Sequence, residues 1–404
     1  MSKALIAMSG GVDSSVAAKL VLGAGFECIG CTMKLNQGDG VDGSFSATGL
    51  NHGDGVSGST GQQCCTLEDT EDARSVAYKL GMPFYAFNFK DEFREKVIDQ
   101  FADCYLSGHT PNPCIECNRC LKFGKLLERA RVLGCDCVVT GHYARIEERD
   151  GEMVLLKGLD EKKDQSYVLY MLSQEQLKHI MFPLGGLTKA EVRRIAEENG
   201  FINASKPDSQ DICFVPDGDY AAVVERYLQD TRGSDNDKNG RPTENTNIEN
   251  KAQWRRGTTP GNFVDMNGKV LGRHKGIIHY TIGQRKGLGI SAEHPLYVHH
   301  IDIENNEVVL SDNESLFSRT ACVDKLYLTT EKKLPDEYRC SAKIRYHHKE
   351  QPGTLYFTGE GCRFEFDEPQ RAITPGQSLV LYEGDRVLGG GVIVAGKRKG
   401  DDSL

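Results

Sequence analysis

The sequence predicts an α/β fold with a parallel sheet at its amino-terminal end, followed by a small central domain and a carboxy-terminal antiparallel β-barrel. From Lys3 to Thr140, short apolar runs alternate with segments of helical periodicity, and strands separated by helices form parallel sheets. Beyond Tyr297 the pattern changes to short alternating runs between Gly, Pro and Asn turns, which is typical of a small barrel. A chain of 404 residues exceeds what one core organises, so we expect two or three domains.

The individual elements follow from periodicity and turn residues. Lys3 to Met8 reads as the first strand, and Asp13 or Ser14 is placed to cap a helix that runs to Gly23. The later elements, in chain order, are a strand Gly25–Met33, a helix Glu68–Leu80, a strand Phe84–Phe89, a helix Arg119–Leu133, a strand Cys135–Thr140, a helix Lys189–Gly200, and strands around Glu307–Leu310, Arg339–Tyr346 and Ser378–Tyr382.

Changes in composition divide the chain into three predicted domains, over residues 1–207, 208–295 and 296–404. Two polar stretches, Gln37–Gln63 and Gln229–Asn250, contain few residues that build a core. We interpret the first as an exposed loop insertion and the second as a loop or linker, with no chemistry assigned to either.

Composition and charge exclude several classes of protein. Lys and Arg number 49 against 58 Asp and Glu, a net charge of -9, so any nucleic-acid binding must use local basic clusters. Such clusters occur at Trp254–Arg256, Arg273–Lys275 and Arg285–Lys286. No apolar run reaches the ~18 residues of a membrane helix, and none near the start suits a secretory signal. The sequence therefore predicts a cytoplasmic protein.

The segment Ala7-Met8-Ser9-Gly10-Gly11-Val12-Asp13-Ser14 carries the clearest chemical signal. Its two glycines let backbone amides approach a ligand, its serines add donors, and the following helix presents unpaired amides and a positive dipole end. These features suit a phosphate group. The Gly-Lys-Ser/Thr of a Walker A loop is missing. The segment instead resembles the PP-loop of ATP pyrophosphatases, and Asp13 is placed either to assist Mg²⁺ or to cap the helix.

The cysteines form the second signal. Fourteen of them in a long chain without a secretory signal favour thiol chemistry or metal binding over a disulfide framework. Cys114 and Cys117 follow two prolines and precede a helix, where the dipole favours a thiolate. Cys213 lies far along the chain in a polar segment, and Cys120 is predicted to pack on a helix face. Zinc or an iron–sulfur cluster on these cysteines is the alternative interpretation.

The phosphate loop and both cysteine segments together resemble the tRNA 2-thiouridylase family, over nearly the whole chain. Further matching segments are Cys65–Asp69, Thr140–Tyr143, Lys163–Tyr167, His279–Gly289 and Pro375–Gln377. The resemblance implies replacement of the C2 oxygen of the wobble uridine by sulfur in certain tRNAs. It also implies ATP and Mg²⁺ as cofactors, tRNA as a partner, and a persulfide donor such as a cysteine desulfurase or a sulfur-relay protein.

The resemblance also implies roles for individual residues. Cys117, directly before Asn118, matches the nucleophile, and Cys213 matches the cysteine that carries the persulfide, with Asp13 as a third catalytic residue. ATP contacts are implied for Ala7, Met8, Ser9, Gly10, Gly11, Val12, Asp13, Ser14, Met33 and Gly141. The implied tRNA contacts are Asn112, Pro113, Cys114, His142, Lys163, Asp164, Gln165, Arg345, Tyr346 and Gln377.

The chemistry implied by the family is consistent with these residue types. A uridine C2 oxygen is a poor leaving group, so ATP must adenylate it first, and the oxygen then leaves as part of AMP when sulfur replaces it. Cys117 then either attacks the persulfide on Cys213 to free its sulfur or resolves the intermediate, and both routes leave a Cys117–Cys213 disulfide. The two thiols are therefore expected to approach each other.

Three other functions stay open at this point. The chain could be another PP-loop enzyme that adenylates a small metabolite, which would leave the cysteine segments unexplained. It could act on the same tRNA through a [4Fe-4S] cluster held by Cys114, Cys117 and Cys213. A metal-stabilised RNA-binding module, finally, would bind tRNA without consuming ATP.

Overall fold

The computed structural model describes residues 2–35, 66–208, 212–215, 218–234 and 257–394. The chain forms two compact units, one made of Met1–Lys96 with Cys114–Gly218 and the other of Val97–Pro113 with Asp219–Leu404. The predicted insertion at 37–63 lies outside the described residues. The beginning of the predicted linker at 229–250 was assigned wrongly, because helical structure continues through Ser234.

The described strands are β1 Lys3–Ala7, β2 Glu27–Lys34, β3 Phe84–Asn88, β4 Cys137–Val139, β5 Ala144–Arg149, β6 Glu152–Lys157, β7 Ile180–Met181, β8 Gly261–Val264, β9 Val270–His274, β10 Tyr297–Asp302, β11 Glu307–Ser311, β12 Phe317–Val323, β13 Tyr327–Leu328, β14 Glu337–Lys343, β15 Gln351–Thr358, β16 Gly361–Arg371, β17 Ser378–Glu383 and β18 Arg386–Val394.

The described α-helices are α1 Val12–Gly23, α2 Leu67–Lys79, α3 Lys90–Phe93, α4 Asp99–Leu106, α5 Pro113–Glu116, α6 Leu126–Val132, α7 Gln174–Leu177, α8 Lys189–Glu198 and α9 Tyr220–Ser234. Wider π-helical turns span Arg94–Ile98 and Cys117–Lys125, and 3₁₀ turns span Ser166–Leu169, Ile277–His279 and Glu314–Leu316. No helix among the described residues is long and apolar enough to cross a membrane.

The first unit contains a five-stranded sheet in the order β3-β2-β1-β4-β7, and every neighbouring pair is parallel. Ala4, Leu5 and Ile6 of the central strand β1 are fully buried, as expected for a strand covered by helices on both faces. The small residues Ala17 and Ala18 of α1 belong to the same core. The predicted parallel α/β domain is confirmed.

The second unit contains two β structures. The strands β10-β11-β8-β9 form one sheet around Phe263, Tyr280 and Val308, so the predicted boundary at 295 falls between strands of a single sheet. The strands β12-β16-β15-β14-β17-β18 follow one another antiparallel, and β18 pairs back to β12. This closed ring removes free sheet edges and encloses Leu355 and Phe364. The predicted C-terminal antiparallel barrel is confirmed.

Two local predictions were wrong. The helix after the phosphate loop begins at Val12 with Gly11 as its N-cap, and no side chain caps it, so neither Asp13 nor Ser14 has that role. In the region where a helix was expected over Arg119–Leu133, helical structure already begins at Pro113, continues through the π-helical turns Cys117–Lys125 and ends with α6 at Val132. Side-chain periodicity does not distinguish an α-helix from π-helical turns, because both place apolar residues on one helix face.

Candidate active site

The phosphate loop leaves β1 at Ala7 and enters α1 at Val12. Ser14 Oγ accepts a hydrogen bond from the Ser9 amide at 3.2 Å and donates to the Gly11 carbonyl oxygen at 3.0 Å. Ser15 Oγ donates to the same carbonyl at 3.1 Å. These bonds hold the loop around the first turn of α1, whose leading amides lack intrahelical acceptors and are available to an anion.

Gly10 is the position where the loop tolerates only glycine. Its φ is +78°, and an added Cβ would lie 2.3 Å from the carbonyl oxygen of Asp69. Both the left-handed backbone and the contact exclude a side chain. Asp69 itself is fixed by a capping box with Thr66 at the start of α2.

Residues distant in sequence anchor the loop further. The buried Asn203 donates through Nδ2 to the Gly10 carbonyl oxygen at 2.8 Å and to Ser15 Oγ at 2.9 Å. Gly141 packs so closely that a Cβ would lie 2.8 Å from the Asp13 carbonyl carbon and the Ser14 nitrogen. Met33 lies in β2 beside Phe87 of β3 and is buried. The predicted ATP contacts Gly10, Asp13, Ser14 and Gly141 therefore lie together.

Asp13 is held by a cation and a phenol. Lys189 Nζ lies 2.7 Å from Asp13 Oδ1 and 2.8 Å from Oδ2, and the Tyr143 hydroxyl donates to Oδ1 at 2.7 Å. Burial, together with the charge of Asp13, raises the pKa of Tyr143 well above its usual value, so the phenol remains a proton donor. Sequence reasoning missed Lys189 and Asn203, although Tyr143 lay within a matching segment.

Asp208 extends this network. Its carboxylate oxygens form ion pairs with Lys163 Nζ and Lys189 Nζ, each at 2.7 Å, and with Arg193 Nη2 at 3.0 Å. Burial opposes ionisation here, but the hydrogen bonds from Lys163 and Lys189 hold the pKa of Asp208 below its usual value. Lys206, two residues earlier, donates to Asp69 and Asp72, each at 2.7 Å.

The three predicted thiol positions lie in the first unit. Cys114 is exposed, Cys117 is buried at the start of the π-helical segment, and Cys213 is half-buried. The ring of Phe214 meets that of Phe93 edge-on, with 5.6 Å between centroids, and α3, which contains Phe93, contacts the segment that begins at Cys117. Asn118 is buried and donates to the Val168 carbonyl oxygen at 3.1 Å.

The predicted tRNA contacts Lys163, Asp164 and Gln165 all make internal hydrogen bonds. Lys163 pairs with Asp208, and Asp164 accepts from the Gly158 and Ser166 amides. Gln165 accepts the Tyr143 amide at 3.1 Å, and the Gln165 amide donates to the Tyr143 carbonyl oxygen. This turn thus fixes the backbone of Tyr143, whose hydroxyl binds Asp13.

His142 is buried beside the phosphate loop. Its Nδ1 lies 2.7 Å from Thr140 Oγ1, and its ring packs against Phe123 and Phe182. Burial, with a smaller effect from Lys122, lowers the pKa of His142 well below its usual value. The ring is therefore neutral, and little of it is exposed for a tRNA contact.

The remaining predicted tRNA contacts belong to the second unit. Arg345 is exposed and Tyr346 is half-buried after β14. Gln377 Nε2 donates to the Thr110 carbonyl oxygen at 2.8 Å and to that of Pro111 at 3.4 Å, and the Thr110 amide donates to the Pro375 carbonyl oxygen at 3.0 Å. Gln377 thus holds the stretch that leads directly into Asn112 and Pro113.

Metal ligands are not gathered in the described part of the chain. No three His, Cys, Asp or Glu side chains among the described residues lie close enough together to hold a metal ion. Cys114, Cys117 and Cys213 are all described residues, so they do not form such a group.

A parallel α/β sheet with a Ser-Gly-Gly-Val-Asp-Ser loop between its first strand and first helix defines a PP-loop domain. Three family models match consecutive parts of the chain: the tRNA methyl transferase HUP domain over residues 2–217, the tRNA methyl transferase PRC-barrel domain over 252–312, and the aminomethyltransferase beta-barrel domain over 318–393.

Full-length relatives are similar to almost the whole chain. The tRNA-specific 2-thiouridylase MnmA of Acetivibrio thermocellus is 46% identical over 394 residues, which cover 97% of this chain and 99% of the relative. The MnmA of Clostridioides difficile is 47% identical over 394 residues, covering 97% and 98%. The chain belongs to the tRNA-specific 2-thiouridylase family, and the resemblance seen in its sequence is confirmed.

Proposed function

We propose that this chain is a tRNA-uridine 2-sulfurtransferase that acts in the cytoplasm, activating the C2 oxygen of the wobble uridine with ATP and replacing it with persulfide sulfur. The observation that carries the proposal is a phosphate loop anchored by Asn203 and Lys189 in the same compact unit as Cys117 and Cys213. The family membership supports the choice of substrate.

The first step is adenylation. The uridine C2 oxygen attacks the α-phosphorus of ATP, the bond to the α,β-bridging oxygen breaks, and pyrophosphate leaves while the N3 proton passes to solvent. The leading amides of α1 and the hydroxyl of Ser9 would hold the phosphate charge, while Ser14 supports the loop through its bond to Gly11. Lys189, at the start of α8, adds a positive charge next to Asp13.

Mg²⁺ would arrive on the phosphates of ATP, where it neutralises their charge. The described residues offer no three-ligand cage, and Mg²⁺ characteristically binds nucleotide phosphates with only one or two protein carboxylates. Asp13 is the carboxylate of the loop and therefore the residue that fits this role.

The second step is sulfur transfer. The terminal sulfur of a Cys213 persulfide attacks C2, the bond from C2 to the activated oxygen breaks, and AMP leaves. The Cys117 thiolate then attacks Cys213 Sγ, which releases thiouridine and forms a Cys117–Cys213 disulfide. An external thiol must supply two electrons to restore both thiols. This scheme requires no metal centre.

The tRNA would contact residues of both units. Arg345 is exposed and suits a phosphate contact. Asn112 and Pro113 directly precede Cys114, and Gln377 supports this loop by its bonds to Thr110 and Pro111. The sulfur donor is proposed to be a protein that presents a persulfide, such as a cysteine desulfurase or a sulfur-relay protein, because Cys213 must be loaded before each turnover.

The direct test is mass spectrometry of nucleosides from unmodified tRNA incubated with ATP, glutathione persulfide and the full chain. We expect 2-thiouridine with the wild type, and at least about 100-fold less with Cys117→Ser or Cys213→Ser, while both variants still bind an ATP analogue. Undiminished thiolation by either variant would remove the role assigned to that cysteine. Stoichiometric iron and acid-labile sulfide after anaerobic purification would instead favour the cluster mechanism.

A further inference from the structure

Asp208 pairs with three cationic side chains, and the proposed reaction gives it no role. Its carboxylate binds three cations, Lys163 and Lys189 at 2.7 Å and Arg193 at 3.0 Å. The Asp208 side chain is 19% exposed and that of Lys189 only 11%, so solvent screens the Asp208–Lys189 ion pair weakly. Ion pairs in such surroundings depend on keeping all their partners.

Two of the three cations lead to separate parts of the proposed site. Lys189 also binds Asp13 of the phosphate loop. Lys163 begins the turn whose Gln165 fixes the backbone of Tyr143. One carboxylate therefore connects the nucleotide loop with the turn predicted to meet tRNA.

Arg193, the third cation, connects Asp208 to the stretch of chain that leads towards Cys213. Arg193 Nη1 donates to the carbonyl oxygens of Ala204 at 3.1 Å and Lys206 at 3.2 Å, while its Nη2 binds Asp208. The guanidinium thus fastens the stretch from residue 204 to residue 208 onto α8. Cys213 follows five residues after Asp208.

We propose that Asp208 is a positioning residue that fixes the stretch 204–208, from which the chain continues to Cys213, to Lys163, Lys189 and Arg193, so that the persulfide reaches the activated uridine. This rests on the proposed function and adds a residue to it. Asp208 touches neither reacting sulfur nor phosphorus in this account. When Asp208 is lost, Lys189 keeps both of its bonds to Asp13, whereas the stretch that leads to Cys213 loses three ion pairs. We therefore expect sulfur transfer to be impaired much more than adenylation.

The test separates the two steps in single-turnover reactions with tRNA, ATP and glutathione persulfide, measuring pyrophosphate and 2-thiouridine in the same sample. For Asp208→Asn we expect pyrophosphate release within about threefold of wild type and thiouridine formation reduced at least about 30-fold. The matched control is Asp72→Asn, which removes a carboxylate from the same segment's Lys206 but leaves that lysine its bond to Asp69. Its ratio of pyrophosphate to thiouridine should stay within about twofold of wild type.

Rescue by inorganic sulfide distinguishes a positioning role of Asp208 from general damage to the fold, because a damaged fold would not be rescued. Hydrosulfide attacks C2 directly and AMP leaves, so thiouridine forms without either cysteine. With excess sulfide, Asp208→Asn should match the wild type treated in the same way to within about threefold. Loss of pyrophosphate release together with thiolation, or no rescue by sulfide, would overturn the proposal.

Arg193→Lys keeps the proposal testable if Asp208→Asn fails to fold, because Arg193 is partly exposed and the change preserves charge. A single ammonium nitrogen does not reproduce the arginine fork, in which Nη1 binds the two carbonyl oxygens and Nη2 binds Asp208, so the ratio of pyrophosphate to thiouridine should rise at least about threefold. An unchanged ratio would overturn the proposal. A wild type that makes no thiouridine from persulfide but still releases pyrophosphate would instead contradict the proposed function.

Discussion

The phosphate loop and the thiol segments are built differently, although they lie in the same unit. Residues far away in sequence fix the loop, with Asn203 on Gly10 and Lys189 on Asp13. The thiols range from the exposed Cys114 to the buried Cys117. A loop that binds a nucleotide in one pose benefits from a rigid frame. A thiol that must receive sulfur and deliver it needs access, so its surroundings cannot be equally closed.

The largest effect should come from a substitution in the phosphate loop, which is the more rigidly held of the two regions. Gly10→Ala combines a left-handed backbone with a Cβ that would lie 2.3 Å from the Asp69 carbonyl oxygen. We expect the affinity for an ATP analogue, measured by calorimetry, to fall at least about 100-fold, since the loop must shift to relieve the contact. Gly134→Ala is the control, because its φ is +68° but nothing lies within 4 Å of the added Cβ.

The control should lose about 1 kcal/mol of stability from backbone strain alone and keep its ATP affinity. If Gly10→Ala bound ATP like the control, the loop would not be the rigid element described above.

An effect of intermediate size concerns His142, buried beside the loop. Because its pKa lies below the unfolded value of about 6.5, the unfolded chain takes up a proton that the folded chain does not as the pH falls below that value. Stability should therefore drop on acidification. For His142→Asn, the loss of unfolding free energy between pH 7.5 and 5.0, measured by urea denaturation, should be smaller than in wild type by about 2 kcal/mol.

The half-buried His179 supplies the control, since its side chain is 39% exposed and His179→Asn removes an imidazole that is not buried in the core. The same pH dependence in wild type and His142→Asn would show that His142 does not stay neutral in the folded state.

The smallest effect is expected for Cys120, which shares the π-helical segment with Cys117. Its thiol is half-buried, and burial, opposed by Arg119 but reinforced by Glu116, raises its pKa above the usual value. It is therefore a poor nucleophile at neutral pH. Cys120→Ser should keep thiolation within about twofold of wild type in the nucleoside assay. A loss of thiolation as large as that of Cys117→Ser would show that Cys120 also takes part in the reaction.

Local pattern was sufficient to predict much of the fold. The apolar run Lys3–Met8 and the turn at Gly10 predicted the central strand and the phosphate loop, because strand burial and a left-handed turn depend on neighbouring residues. The alternating runs near residues 307, 339 and 378 likewise became strands.

The tertiary parts of the site could not be predicted in this way. Asn203 and Lys189 reach the loop from 193 and 176 positions away, and a side chain of either type normally faces solvent. For Asp13 only the alternative of a helix cap was wrong, and its partners Tyr143 and Lys189 could not be predicted because they are distant in sequence. Gln377, predicted to contact tRNA, was found to bind Thr110 and Pro111 through a connection spanning 267 positions.

The most direct test of sulfur relay between Cys117 and Cys213 is peptide mapping after one turnover. Persulfide-loaded enzyme reacts with tRNA and ATP without reductant, is alkylated, and is digested for mass spectrometry. We predict a disulfide between residues 117 and 213 in an amount equal to the thiouridine formed, and none when ATP is omitted. Full thiouridine formation with both cysteines recovered in alkylated form would contradict it.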